Sequence, residues 1–214
     1  LLAERSDLDS GVRATLIEEL SRSRASLGAF EAARRQALEA RALFESLGDR
    51  RAVLRVDIHL ASLEERLDRV DEARARIDRV LATAAEAGLA PADLYPAWYQ
   101  HGILVGNAGD VDAADRAISR AIELASLGAA PSTTAVGMEV VRAGFLSAAG
   151  RADEALARLA AMRTRLQSTG AYDDAARQQL LHGEGMALEQ LGRWREAQAA
   201  IEARLELSRR IHGP

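Results

Sequence analysis

Apolar residues return at steps of three and four along nearly the whole chain, the spacing that buries one stripe of a helix. Leu16, Ile17 and Leu20 share one face of a segment that Ser10 can cap and that runs to about Ala25. Phe30, Ala33, Ala37, Ala40 and Phe44 form the next stripe, which should stop at Gly48. The pattern then predicts helices over about Asp49–Leu67 and Val70–Ala87, with Gly88 and Pro91 as a stop. A helix containing Trp98 to Val105 follows, then one from Val111 to Leu127, ended by Gly128 and Pro131. Two more pairs turn at Gly150 and Gly192. They begin near Thr133 and Ala171 and end at Gly170 and near Ile211.

The breaks between these helices repeat. A six-residue phrase occurs five times: Gly28–Ala33, Asp68–Ala73, Gly109–Ala114, Gly150–Ala155 and Gly192–Ala197. Its closing alanines are 40, 41, 41 and 42 residues apart, a period that marks a repeat array. Glycine at the head of the phrase supplies the φ > 0 of a tight helix–helix turn. Asp68 replaces it once, and aspartate tolerates that backbone better than most residues. The acidic residues that follow suit the first turn of a helix. The invariant alanine implies close packing. A small residue also recurs in each first helix, as Ser21, Ala61, Gly102, Ala143 and Gly185. Phe30, Val70, Val111 and Trp194 recur as fillers two places after the turn residue, with Ala152 the exception. Five units result, over about residues 10–48, 49–88, 91–128, 131–170 and 171–212, expected to form one elongated domain.

Composition narrows the reading. Of 214 residues 48% are apolar and 28% charged, but only 4% are aromatic, which favours packed helices over a β-sandwich. There is no cysteine, so a thiolate metal site is excluded. No apolar run approaches the ~18 residues of a membrane span and no signal-peptide pattern opens the chain, so the expectation is a cytoplasmic protein without membrane contact. Leu1 rather than Met at the start suggests a piece of a larger polypeptide. The net charge of −4 disfavours nucleic acid as a partner. All 28 basic residues are arginine, mixed with acids, as in Arg74, Arg76 and Arg79 beside Asp71, Glu72 and Asp78. Such mixing predicts a solvated face with weak i,i+4 pairs.

Candidate chemistry is sparse. His59, His101, His182 and His212 form no ligand pattern, so no metal and no cofactor is expected. His101 reads as a packed helix residue and His212 as a helix-end residue. Neighbours on a helix point in different directions, so Glu64-Glu65 and Asp173-Asp174 make no catalytic dyad, and the second pair reads as a helix cap. No nucleophile elbow or phosphate loop is present, and Gly183-Glu-Gly185 reads as helix packing. No catalytic residue is assigned, and the chain is expected not to be an enzyme.

The third unit resembles a tetratricopeptide repeat: Trp98, Gly102, Ala114 and Ala121 stand at that family's spacing. Val105, Ile118 and His101 replace its Tyr, Phe and Leu, and the late Pro is missing. The resemblance covers about residues 10–212. Its longer period is similar to repeats of bacterial regulators of the maltose-activator type and of kinesin light chains. The stretch Ala40–Asp49 also looks like repeats fused to bacterial signalling NTPases or CHAT-type peptidases. The resemblance implies an all-α fold, a right-handed superhelical solenoid of five antiparallel helix hairpins. It also implies a concave groove lined by the first helices. Carried over position by position, that groove contains Glu18, Glu19 and Arg22; His59, Ser62 and Arg66; Tyr99, Gln100, Ile103 and Asn107; Val140 and Val141; and His182, Met186 and Gln190. The implied function is a non-catalytic scaffold for a protein or peptide, the sensory or interaction arm of a bacterial regulator. The alternatives are the regulatory domain of a multidomain enzyme or a small-ligand or peptide sensor. Oligomeric state is left open. If the repeat alanines pack closely, Ala114→Leu should lower the melting temperature more than Ala129→Leu, a loop change; equal shifts in thermal denaturation would refute the assignment.

Overall fold

In a computed structural model, residues 9–128 and 130–213 are described, His212 by its backbone alone. Leu1 to Leu8 and Ala129 therefore lie outside the described residues, as does the side chain of His212. The described residues form ten α-helices and a short 3-10 turn, with no strand. The helices are α1 (Ser10–Ser26), α2 (Phe30–Ser46), α3 (Arg50–Arg66), α4 (Val70–Thr83), α5 (Tyr95–Asn107), α6 (Val111–Leu127), α7 (Ser132–Ala148), α8 (Ala152–Thr169), α9 (Asp174–Gln190) and α10 (Trp194–His212). The 3-10 turn, Pro91–Leu94, leads into α5.

Each of the five turns inside a pair is three residues long and closes in the same way. The residue at the head of the phrase takes a left-handed conformation, and the next amide bonds back five residues. Ala29 N donates to Arg24 O, Arg69 to Glu64, Asp110 to Val105, Arg151 to Leu146 and Arg193 to Leu188, at 2.8 to 3.0 Å. The amide of the head residue itself bonds back three residues, as Gly28 N to Ala25 O and Asp68 N to Glu65 O do, and this double closure satisfies the last carbonyls of each first helix. Asp68 is the non-glycine member, at φ 60°, and keeps both bonds. Gly128 differs from the other closing glycines, with an extended backbone at φ −105° that carries the chain toward Pro131. α1 is capped by Asp9 rather than Ser10: the Asp9 carboxylate accepts from Gly11 N and Val12 N, and Ser10 is already helical. Asp49, Asp110 and Asp173 cap α3, α6 and α9 in the same manner.

The chain divides into two compact units, one ending at Leu104 and one beginning at Val105. In the first, the core gathers Ala33, Ala37, Ala40 and Phe44 of α2 against Ala52, Val56, Leu60 and Leu63 of α3. A neighbouring cluster packs Ala73, Ile77 and Val80 of α4 with Leu54, Ala61, Ala97 and Leu104. In the second, α7 packs on α6, α8 and α9, and α9 on α10. All five repeat alanines are buried, as is each small first-helix residue. Where the register holds serine its hydroxyl is used: Ser21 Oγ donates to Ala33 O at 2.8 Å. The filler positions are a different matter. Val70 and Trp194 are exposed, whereas Ala152 at the same position is buried; Phe30 lies under the Arg66 guanidinium.

Charge is also less superficial than the mixed pattern implies. Arg76 does not sit on a solvated face: it grips Glu64 with two bonds, at 2.7 and 2.9 Å, and reaches Asp57 at 2.6 Å. Glu64 and Asp57 are buried, and Arg34 and Arg41 approach them from α2. In the second unit Arg142 pairs with buried Glu139 and bonds Ser119 Oγ at 2.5 Å. The signal was a register conflict. Asp57 and Glu139 occupy the place of Trp98, and Glu64 the place of Val105, Leu146 and Leu188. A buried carboxylate whose partner is deleted is far costlier than a surface pair, ~3–5 against ~0–1 kcal/mol.

Among the helical glycines, the tightest contact is that of Gly106 with an aromatic ring. A Cβ on Gly106 would lie 2.7 Å from the ring of Phe145. Helix propensity alone favours Gly106→Ala by ~1 kcal/mol, whereas overpacking costs ~1–3 kcal/mol. Gly106→Ala is therefore expected to destabilise, and Phe145→Leu to reverse the sign in the double mutant; chemical denaturation of the two singles and the double checks this.

Candidate functional site

A hollow of about 700 Å3 opens on the first unit. Arg22 of α1, five residues of α3, the segment before α5 and the start of α5 line it. The turn geometry sets this up. Each second helix returns the chain so that successive first helices lie near one another, and α3 presents Arg51, Arg55, Ile58, His59 and Ser62 at helical spacing. Leu89 and Asp93 close one end, and Tyr95, Pro96, Tyr99 and Gln100 form the α5 wall.

Five groove residues expected from the sequence meet here: Arg22, His59, Ser62, Tyr99 and Gln100. His182 and Met186 line a smaller hollow of about 260 Å3 in the second unit, with Leu181, Glu189, Ile201 and Arg204. Arg204 Nη1 lies 2.9 Å from His182 Nδ1. The others line neither hollow. Arg66 stacks on Phe30, Ile103 is half-buried, and Asn107 and Gln190 are exposed near the ends of their helices. Glu18 is not a groove wall but a buried base beneath one. It holds Arg55 through bonds of 2.7 and 3.0 Å and Arg22 at 2.7 Å.

Sequence reasoning missed Arg51, Arg55, Ile58, Leu89, Asp93, Tyr95 and Pro96. Arg55 had a signal, because Glu18 falls in a register otherwise filled by Ile58, Tyr99, Val140 and His182 and so requires cationic company. The Leu89 and Asp93 contributions depend on how the longer α4–α5 connection folds, which periodicity does not describe.

The electrostatics of the floor are specific. Burial, the largest effect, would raise the Glu18 carboxyl, but the bonds and charges of Arg55 and Arg22 outweigh it and hold it below its ordinary value. His59 is lowered to about 4, by burial first and then by Arg22, with Glu18 opposing. Its Nε2 lies 2.9 Å from Ser21 Oγ. Because the single Ser21 hydroxyl hydrogen goes to Ala33 O, His59 Nε2 must donate, which sets the neutral imidazole in one tautomer. Burial raises the Tyr99 phenol. Gln100 is 6% exposed, and its Nε2 has no hydrogen-bond partner among the described residues. A buried donor left unpaired costs ~1–3 kcal/mol, which an occupant's acceptor would recover.

His101 is half-buried and edge-on to Trp98, with ring centroids 6.0 Å apart. Gly183 packs against Leu159 inside the α8–α9 contact. Among the described residues no group of three or more His, Asp or Glu could hold a metal ion, and no helix is long and apolar enough to cross a membrane.

No family model and no curated protein matches the chain. Solved structures do. The putative kinesin light chain TPR-like repeats of Podosopora anserina are 17% identical, covering 97% of this chain and 100% of that one, at a TM-score of 0.73. The fold is that of the tetratricopeptide-like repeats. BtubC (BKLC) from P. vanneervenii gives 19% identity, 100% and 86% coverage and a TM-score of 0.76. A Rap protein complexed with competence and sporulation factor gives 13% identity, 94% and 65% coverage and a TM-score of 0.66. The match is with helical solenoid repeats and carries the architecture of this TPR-like chain, at identities that carry nothing finer.

The neutral His59 has a consequence for stability. Its folded pKa lies below the unfolded value of ~6.5, so the unfolded chain binds the extra proton first. Stability contributed by His59 is thus complete above about pH 6.5 and is lost as pH falls toward 4, while that of Glu18 is lost only at lower pH. Melting temperature should decline across this window, and His59→Gln should flatten the decline; circular-dichroism melts at stepped pH check it.

Proposed function

We infer that this chain is a non-catalytic scaffold that holds a protein or peptide segment along its first helices, with the hollow between α1, α3 and α5 as the principal contact. The observation that carries this reading is the unpaired Gln100 Nε2, buried in a wall that otherwise offers Tyr95, Tyr99, Pro96, Ile58 and Leu89. An extended peptide supplies what that wall lacks. A main-chain carbonyl accepts from Gln100, an apolar side chain packs on Tyr99 and Pro96, and the Glu18-anchored Arg22 and Arg55 orient polar groups at the rim. The likeness to a Rap protein solved with a bound factor supports a partner of this kind. The smaller hollow with His182 and Met186 is a separate contact on the second unit, and Arg66 and Ile103 on the first unit and Asn107 and Gln190 on the second are further contacts. The mechanism is geometric: helical hairpins present side chains from their first helices without any step of chemistry. In this reading the chain is cytoplasmic and serves as the interaction arm of a bacterial signalling or transcription regulator.

Linear peptides selected from a display library against the chain provide the test. Gln100→Leu should weaken their binding on the order of tenfold or more while leaving thermal stability equal or higher, because an unsatisfied donor is removed. Tyr99→Ala should weaken it further. Peptides that bind wild type and both variants alike, or that crosslink to second helices, would overturn the assignment.

A further inference from the structure

His59 and Gln100 stand in one register of neighbouring first helices, two residues before Ala61 of α3 and Gly102 of α5. Both line the larger hollow. Each carries a polar atom that the fold leaves unused. For Gln100 it is Nε2, a donor. For His59 it is Nδ1, whose role is decided on α1 and α2. Ser21 has a single hydroxyl hydrogen and gives it to Ala33 O at 2.8 Å. Its oxygen can then only accept from His59 Nε2, 2.9 Å away. In a neutral ring the other nitrogen has a lone pair and no hydrogen, and burial and Arg22 both keep this ring neutral. His59 makes no further hydrogen bond among the described residues, so Nδ1 is an acceptor without a donor.

Charge is not what this hollow lacks. Arg22 and Arg55 are tied to Glu18, and Arg51 faces Asp93 at 3.5 Å. The unmet groups are a neutral acceptor on the α3 wall and a neutral donor on the α5 wall. An amide carries the complement of both. In a trans peptide the N–H and the carbonyl point in opposite directions, so a single peptide group set between two walls addresses each with one edge.

We propose that His59 selects the bound segment by its main chain: one trans peptide group lies between α3 and α5, its N–H donating to His59 Nδ1 and its carbonyl accepting from Gln100 Nε2. This role rests on the hollow being a peptide contact and adds what that contact selects. The nitrogen of the held peptide group cannot belong to proline, which has no N–H. The side chains on either side of it are chosen by the apolar wall, and the held group itself is indifferent to side-chain identity. Ser21, without touching the segment, fixes the face of the ring that reads it.

Two measurements test this. The first needs no ligand: nitrogen-15 NMR of the histidine-labelled chain near neutral pH should show His59 protonated at Nε2, and protonation at Nδ1 would overturn the proposal. The second uses the display-selected peptides, with each amide in turn replaced by an ester, which keeps the carbonyl and removes the N–H. Calorimetry should show that one ester, and not its neighbours, weakens binding on the order of tenfold. His59→Phe should weaken the parent peptide to a similar degree and then feel little further loss from that ester, as expected for two halves of one contact. The ester series on the wild-type chain decides the matter even where His59→Phe does not fold. Peptides indifferent to both Tyr99→Ala and Gln100→Leu would remove the peptide contact itself, and this role with it. Peptides that need Tyr99 and Gln100 yet tolerate every ester, or that lose affinity only when an Asn or Gln side chain is replaced, would keep the contact and overturn the role of His59 alone.

Discussion

Close approach of helices at a few small residues is the constraint on which everything else here rests. The repeat alanines and their partners Ser21, Ala61, Gly102, Ala143 and Gly185 leave no room for side chains between backbones. Larger residues can then fill only the flanking registers, where Ile77, Ile118 and Leu159 lock one pair against the next. Each methyl so excluded from the contact would otherwise push helices apart, and interiors packed at crystal density do not absorb that. The left-handed turn residue works with this contact, since it brings the second helix back at the angle at which the alanines meet.

Against that uniform frame, the charged residues give individual hairpins their character. Asp57, Glu64 and Glu139 stand where the repeat usually has large apolar groups, and each is answered by arginine from its own or a neighbouring helix. Such pairs do not stabilise much relative to an apolar alternative, but they penalise any arrangement that separates them. A repeat array is at risk of slipping by one unit, because every junction looks alike. Arg41 meeting Asp57 and Arg34 meeting Glu64 between α2 and α3, or Arg163 meeting Glu184 between α8 and α9, marks a junction as the correct one. The same device builds the hollow. Glu18, held in the floor by Arg22 and Arg55, fixes the rim that Tyr99 and Gln100 face.

How much was legible follows from how local each feature is. The helix pairs and their turns are written in three- and four-residue steps and in a phrase of six residues, so reading along the chain finds them. The cap of α1 was misplaced by one residue, because Asp9 and Ser10 are both good caps and only the backbone decides between them. Trp194 read as a filler and is exposed, since nothing in its own hairpin covers it. Of the expected groove residues, Arg22, His59, Ser62, Tyr99 and Gln100 converge, whereas Arg66, Ile103, Asn107 and Gln190 line no hollow. One register cannot point into one cavity five times when the connections between hairpins differ in length.

Periodicity and small-residue spacing thus determined, from the sequence alone, that this chain is a string of helical hairpins with a turn of fixed chemistry in each. These are interactions within about forty residues, repeated until the pattern is unmistakable. Which carboxylates would be buried, that His59 would stay neutral above Ser21, and that Gln100 would be left with an unused donor were decided by the tertiary structure. Those outcomes depend on contacts between different repeats, such as Ser21 with His59, 38 residues apart, and Arg55 with Glu18, 37 apart, and a repeat read one unit at a time cannot contain them.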